Sequence, residues 1–130
     1  MRMTPWRWYL DAWHNYAEFE GRSSRPAYWY FALVNLIVFG MCLFLDVALF
    51  RLSGGVPVLT VLYVLATVIP GLSLAVRRLH DTGRSGWWLL VEVVPVVGQL
   101  VLLLFLVSAS QPGDNRYGPT PTATRETPPL

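Results

Sequence analysis

The stretch Tyr28–Phe50, YWYFALVNLIVFGMCLFLDVALF, decides the fold: 23 residues with Asp46 as the only charge. As a helix rising 1.5 Å per residue it crosses the roughly 30 Å hydrocarbon layer of a bilayer. Two more stretches have the same character. Val56–Val76 carries no charge, and Trp87–Val107 carries only Glu92. Working outward, the chain of 130 residues is 54% hydrophobic and 14% charged, with a mean hydropathy of +0.43. An ordinary soluble domain is about 25% charged, so that class is excluded. Disorder over the chain is excluded as well, because six Trp, six Tyr and six Phe demand burial.

The expected fold is therefore an all-α integral membrane protein, a single domain over residues 1–121. Three transmembrane helices are expected at about 28–50, 56–76 and 87–107. The first apolar run is too long for a signal peptide and lacks a small-residue cleavage site after it, so it is expected to stay in the membrane. Short connections at 51–55 and 77–86 make neighbouring spans antiparallel. Pro95 and Gly98 open an alternative for the third segment, a re-entrant hairpin that would return the C-terminal tail to the side of the N-terminus. The Pro-rich end has no hydrophobic periodicity and reads as a disordered tail over 122–130.

Before the first span, Trp6, Tyr9, Leu10, Trp13 and Tyr16 recur at helical spacing, with Arg7, Asp11, His14 and Asn15 turned away. This predicts an amphipathic helix over about 5–19, with Thr4 as N-cap and Pro5 in the first turn. Its aromatic stripe suits either the headgroup layer or the protein's own helices. Trp6, Trp13, Trp29, Trp87 and Trp88 are the expected interfacial anchors.

Arginine sets the expected orientation. Arg2, Arg7, Arg22, Arg25, Arg77, Arg78 and Arg84 fall on one side of three spans, and Arg51, Arg116 and Arg125 on the other. The positive-inside rule then puts the N-terminus in the cytoplasm and the C-terminus outside. A hairpin would change that division to nine against one.

The densest polar segment is RRLHDTGRSGWW, Arg77–Trp88. Read structurally, Arg77, Arg78 and His80 suit the negative end of a helix dipole, Gly83 suits a left-handed turn, and Ser85 caps the next helix on the N–H of Trp87 or Trp88. Read functionally, Arg22, Arg25, Arg77, Arg78, His80, Asp81, Arg84 and Ser85 form a cytoplasmic polar cluster for an anion or a lipid headgroup. His80 with Asp81 has no nucleophile beside it in the sequence, so an enzyme is not expected. His14 and His80 lack metal-ligand spacing, and neither a metal nor a cofactor is expected. The lone Cys42 cannot form an intrachain disulfide. Within the spans, Asn35 and Glu92 are expected at similar depth, with Glu92 protonated, facing Arg25, Arg77 or Arg78, or reaching the headgroups. Asp46 reads as an outer interfacial residue. Asp81 is expected to pair with Arg22 or Arg25.

FEGRSSRPAYWYFAL at Phe19–Leu33, RRLHDTGRSGWW at Arg77–Trp88, PVVG at Pro95–Gly98 and PGDNRYG at Pro112–Gly118 together resemble the motif series of a bacterial membrane family, domain of unknown function 805. The resemblance covers roughly residues 16 to 121 and implies a small multi-pass protein of the bacterial inner membrane. It carries no biochemical activity with it. The family's characteristic positions fall on Gly21, Arg22, Arg25, Tyr28, Trp29, Arg77, Arg78, Leu79, His80, Asp81, Gly83, Ser85, Gly86, Trp87, Asn115, Tyr117 and Gly118. Pro26 and Ala27 depart from it, since relatives often carry an acidic residue before the aromatic pair.

The expected function is a non-enzymatic scaffold, or a module binding lipid or a protein partner, through the cytoplasmic cluster. The alternative is a small oligomeric transporter or channel using Asn35 and Glu92. Expected partners are membrane lipids, anionic headgroups among them, and a second copy or another membrane protein. Nucleic acid is not expected.

Overall fold

The computed structural model describes residues 4–49 and 54–121. The expected disordered tail at 122–130, with Arg125, lies outside the described residues, as do Arg2 and Arg51. Among the described residues, four α-helices and one 3-10 helix are named, in order: α1 Pro5–His14, α2 Arg25–Ala48, α3 Val58–Asp81, the 3-10 helix Gly86–Val93, and α4 Val97–Val107. There is no strand among the described residues; an isolated bridge joins Asn115 and Gly118.

Helices α2 and α3 form an antiparallel pair, each long and apolar enough to cross a membrane. In the most apolar window of α2 only 11% of the residues are buried, which fits a lipid-facing helix and not the core of a soluble protein. Both begin and end where local chemistry dictates. Ser24 caps α2 by accepting from the Ala27 N–H at 3.3 Å. Helix α3 runs past its apolar stretch through Arg77–Asp81 and stops at Thr82, with Gly83 at a φ of 80°.

Helix α3 has no side-chain cap of its own, because Pro57 stands at its N-cap. Asp46 from the end of α2 takes that place. Its carboxylate accepts from the Leu59 N–H at 3.0 Å, the Thr60 N–H at 2.7 Å and the Thr60 hydroxyl at 2.6 Å. An anion on the free N–H groups of a helix start is favoured by the macrodipole. Asp46 is thus a buried tie between the two long helices, which corrects its reading as a plain interfacial residue.

The amphipathic helix is shorter than expected. It ends at His14, where Asn15 turns its amide onto the carbonyl and carboxylate of Asp11 at 3.0 and 3.2 Å. Thr4 caps the start on the Arg7 N–H. Only one edge of the aromatic stripe is turned onto the protein itself, while Trp6, Leu10 and Tyr16 stay exposed: Tyr9 stacks on Phe31 at 5.5 Å, and its hydroxyl meets that of Tyr63 at 2.8 Å. Tyr63 in turn donates to Asn35 Oδ1 at 2.7 Å, so a chain of three polar groups links α1, α3 and α2.

The third apolar segment is not a continuous spanning helix, which corrects the expected span at 87–107. It folds back on itself. The 3-10 helix ends at Val93, the chain turns through Val94–Val96, and α4 returns against it. At roughly 2.0 and 1.5 Å per residue, each arm reaches only about 16 Å, half a bilayer. Pro95 breaks the helix, and Val96 takes φ 64°, ψ −61°, with the Val97 N–H bonded to the Pro95 carbonyl at 2.7 Å. That is a γ-turn of the strained kind, at a β-branched residue. Gly98 permits the close approach of the arms: a Cβ there would stand 1.8 Å from the Val91 carbonyl oxygen.

Two outcomes follow for stability in detergent. Gly98→Ala is expected to lower the melting temperature sharply by prising the arms apart. Val96→Gly is expected to raise it, since relief of about 1–3 kcal/mol of backbone strain exceeds the roughly 0.5–1 kcal/mol entropic cost of glycine. Thermal melts followed by circular dichroism check both.

Candidate functional site

Asp81 is the centre of the polar cluster, and it is fully buried. It sits in the last turn of α3, three residues after Arg78. Arg22 reaches it from the segment leading into α2, which is held in place by a Ser23 N–H to Arg77 carbonyl bond of 3.0 Å. The Arg22 Nε lies 3.0 Å from Asp81 Oδ1, and the Arg78 Nη1 lies 2.5 Å from Oδ2. Ser110 also donates its hydroxyl to Oδ2. One carboxylate therefore faces two buried guanidiniums.

The remaining positive charge is met by backbone oxygens. Arg22 spends its other donors on the carbonyls of Gly113 at 2.7 Å, Gly118 at 3.4 Å, Gln111 at 2.6 Å and Asp81 itself at 3.4 Å. With Asp81 Oδ1 these account for all five N–H groups of a guanidinium. Arg78 donates to the carbonyls of Leu106 at 3.0 Å, Ser23 at 3.4 Å and Ser108. The carbonyls of Leu106 and Ser108 belong to the C-terminal end of α4, where the helix dipole is negative and a cation is favoured. Trp29 adds its Nε1–H to Leu106 at 3.3 Å.

This arrangement is a clasp. It fastens the stretch after α4 to the start of α2 and the end of α3, and the Gln111 N–H bond to the Asp81 carbonyl at 2.8 Å completes it. Residues 108–118 thus lie at the same end of the molecule as Arg22.

The other expected site residues are distributed around the clasp. His80 stacks flat on Tyr117 at 4.0 Å, with Nδ1 3.0 Å from the Gly21 carbonyl, and its own carbonyl accepts from Asn115 at 2.9 Å. Arg77 is buried nearby. Arg25 is not a partner of Asp81; it is exposed and donates to the Val107 carbonyl at 3.4 Å. Arg84 lies over the Phe105 ring at 4.0 Å. Ser85 accepts from the Trp87 N–H at 3.3 Å and caps the 3-10 helix. Glu92 faces none of the arginines proposed for it; it accepts from Gln99 Nε2 at 2.9 Å. Asn35 is engaged with Tyr63 instead. Among the aromatic anchors, Trp6 and Trp13 pack on Tyr9, Trp88 meets Phe105 edge-on, and Trp87 is 78% exposed.

Sequence reasoning missed Ser108, Ser110, Gln111 and Gly113. Ser108, Gln111 and Gly113 accept through backbone oxygens, for which residue identity gives little signal, and Ser110 acts through its hydroxyl. Only the turn-forming PGDNRYG run pointed to that region.

The clasp makes a quantitative prediction. Removing one partner of a buried ion pair leaves an uncompensated charge and costs about 3–5 kcal/mol. Asp81→Asn and Arg22→Ala are each expected to lower stability by that order, and the double variant by much less than the sum. Arg25→Ala is expected to add independently to Asp81→Asn. Arg22→Lys is expected to fail as a substitute, because an ammonium has no planar five-donor fork. Unfolding in mild detergent, read as a double-mutant cycle, checks all four.

Comparisons with known proteins agree with the membrane character of the chain. Inner membrane protein YhaI of Escherichia coli K12 is 47% identical over 115 residues, covering 88% of this chain and 95% of the relative. Inner membrane protein YhaH of the same strain is 42% identical over the same shares. No solved structure matches the chain. The model of a protein family of unknown function, DUF805, matches residues 16–119, from just after α1 through the clasp. With that match over most of its length and two inner-membrane relatives at this identity, the chain belongs to the DUF805 family.

Proposed function

We propose that the protein is a non-enzymatic module of the inner membrane that binds anionic lipid and a membrane-protein partner, with its clasp end in the cytoplasm. The observation carrying this reading is the saturation of the clasp. Arg22 has no N–H left for a phosphate, and Asp81 is enclosed by two guanidiniums and a hydroxyl, so neither serves as a ligand-binding group or a general base. The cluster is the frame, and the contact groups lie around it. Arg25 and Arg116 are exposed and Arg84 is half-buried. Together with Trp87 they supply cations and an amphipathic ring at headgroup depth, the combination that anionic lipid headgroups favour.

The cytoplasmic placement rests on charge. With residues 108–118 at the Arg22 end, Arg116 joins the basic side, and the tail that carries Arg125 follows it. The division then becomes nine arginines against Arg51 alone.

A second reading, an oligomeric transporter or channel, draws support from the Glu92–Gln99 pair in a hairpin at membrane depth, where polar groups commonly mark a path. The flux of small ions through proteoliposomes separates the two. A scaffold gives none, and a channel gives flux that Glu92→Gln alters without changing abundance.

A reporter active only in the cytoplasm is expected to be active when fused after Leu130 and when inserted after Gly83. Mass spectrometry of the natively extracted protein is expected to find acidic phospholipid retained by the wild type and depleted in an Arg25→Ala, Arg84→Ala, Arg116→Ala triple variant that remains folded. Silence of the Leu130 fusion sinks the orientation, and unchanged lipid retention sinks the headgroup contact.

A further inference from the structure

The hairpin poses a problem that the single chain does not solve. Its arms start at the clasp end: Gly86 abuts Val76 of α3, where an added Cβ would come within 2.8 Å of Val76 Cγ1, and α4 finishes on Arg78 and Arg25. The tip therefore points along the apolar lengths of α2 and α3 to about the middle of a bilayer. There it presents irregular backbone and two polar side chains, Glu92 and Gln99, to the outside. Glu92, Gln99 and every residue from Val93 to Val97 are exposed, Val93 at 79% and Val96 at 70%. Hydrocarbon offers such groups no hydrogen bonds, and non-helical backbone is tolerated at that depth only when protein or a water-filled cavity covers it.

Beside the tip lies an unfilled groove of about 470 Å³ between α2 and α3, lined by Tyr28, Ala32, Asn35, Leu36, Phe39 and Gly71 among others. Hairpin and groove adjoin, since Tyr28 of the groove packs against the same cluster of Leu79, Leu102 and Leu106 as Leu89 and Val91 of the hairpin. They also lie at matching depth. Asn35 is about 15 Å along α2 from Arg25, and Glu92 about 12 Å along the 3-10 helix from Gly86. The groove holds an amide, Asn35, whose carbonyl oxygen is taken by Tyr63 and whose NH2 is a donor suited to a carboxylate or carboxamide oxygen.

A surface that carries a projecting polar tip and, next to it at equal depth, a recess with a complementary donor is self-complementary. We propose that the protein forms a two-fold dimer in which the hairpin tip of each copy enters the α2/α3 groove of the other, bringing Glu92 and Gln99 of one copy to Asn35 of its partner. A two-fold axis along the membrane normal keeps both copies in the same orientation, so equal depth is what such an interface requires. Each copy then covers the other's irregular backbone, and small Gly71 lets the tip approach closely. The inference rests on the hairpin lying within the bilayer and holds whether or not the clasp end binds lipid or a further protein.

Two differently tagged full-length chains, both carrying Cys42→Ala, are co-expressed, one with Leu36→Cys and the other with Val93→Cys, and oxidised in native membranes. A disulfide-linked pair of the two tags is expected. Replacing Leu36→Cys by Val47→Cys, at the far end of α2, is expected to abolish it. In a second measurement, Leu36→Trp fills the groove and is expected to weaken the dimer roughly tenfold, the equivalent of about 1.4 kcal/mol, as read by energy transfer between labelled copies diluted into bilayers, with helicity retained. Absence of the 36–93 link, equal linkage to position 47, a wild type that stays monomeric in bilayers, or a dimer indifferent to Leu36→Trp would each overturn the proposal.

Discussion

One carboxylate between two guanidiniums holds this protein together. Asp81 sits fully buried with Arg22 and Arg78 on its two oxygens. Burying three charged groups in that ratio leaves one unit of positive charge, which low dielectric would make very costly if nothing answered it. The answer comes from the rest of the chain. Carbonyl oxygens at the end of α4 and in the following turn converge on the two arginines, so the residual charge is spread over backbone dipoles. That requirement dictates the path of residues 106–118, which must lie where the guanidiniums point. The clasp explains how a short loop-rich segment with little apolar content keeps a defined position.

The opposite end of the long helix pair is fixed by a related device. Asp46 satisfies the free N–H groups at the start of α3, a place that Pro57 cannot serve. Lipid tails are as apolar as leucine, so helices in a bilayer gain little from apolar contact alone. Polar ties at both ends, with the Tyr9–Tyr63–Asn35 chain between them, supply the specificity that an oily interface lacks. Helix α1 shares in this. Its Tyr9, Ala12 and Trp13 pack on α2 and α3, while Trp6, Leu10 and Tyr16 stay exposed beside Arg7 and His14.

The hairpin follows from competition between length and local chemistry. Trp87–Val107 is long enough to span, and hydrophobicity alone favours a straight helix. Against that stand Pro95, which removes a backbone donor, Gly98, which admits the returning arm, and the Glu92–Gln99 bond that ties the arms across the turn. The clasp adds the deciding constraint, since α4 must end where Arg78 and Arg22 can reach its carbonyls. A helix that crossed the bilayer would carry those carbonyls to the wrong end.

The sequence by itself determined the class of protein, its two long helices and most of their boundaries. The long helices depend on hydrophobic run length, and the starts of α1 and the 3-10 helix on the caps Thr4 and Ser85, all of them local and therefore legible. It also brought Arg22 and Asp81 together through topology, and the motif resemblance marked His80, Asn115 and Tyr117, which pack together here. Only the tertiary structure decided between a span and a hairpin at Pro95, chose Arg22 over Arg25 for Asp81, sent Glu92 to Gln99, and gave Asp46 its place on α3. Most of those outcomes turn in part on where a distant backbone carbonyl or N–H comes to lie. Backbone groups are the same at every residue, so their placement is fixed by the folded chain and leaves no mark in the sequence.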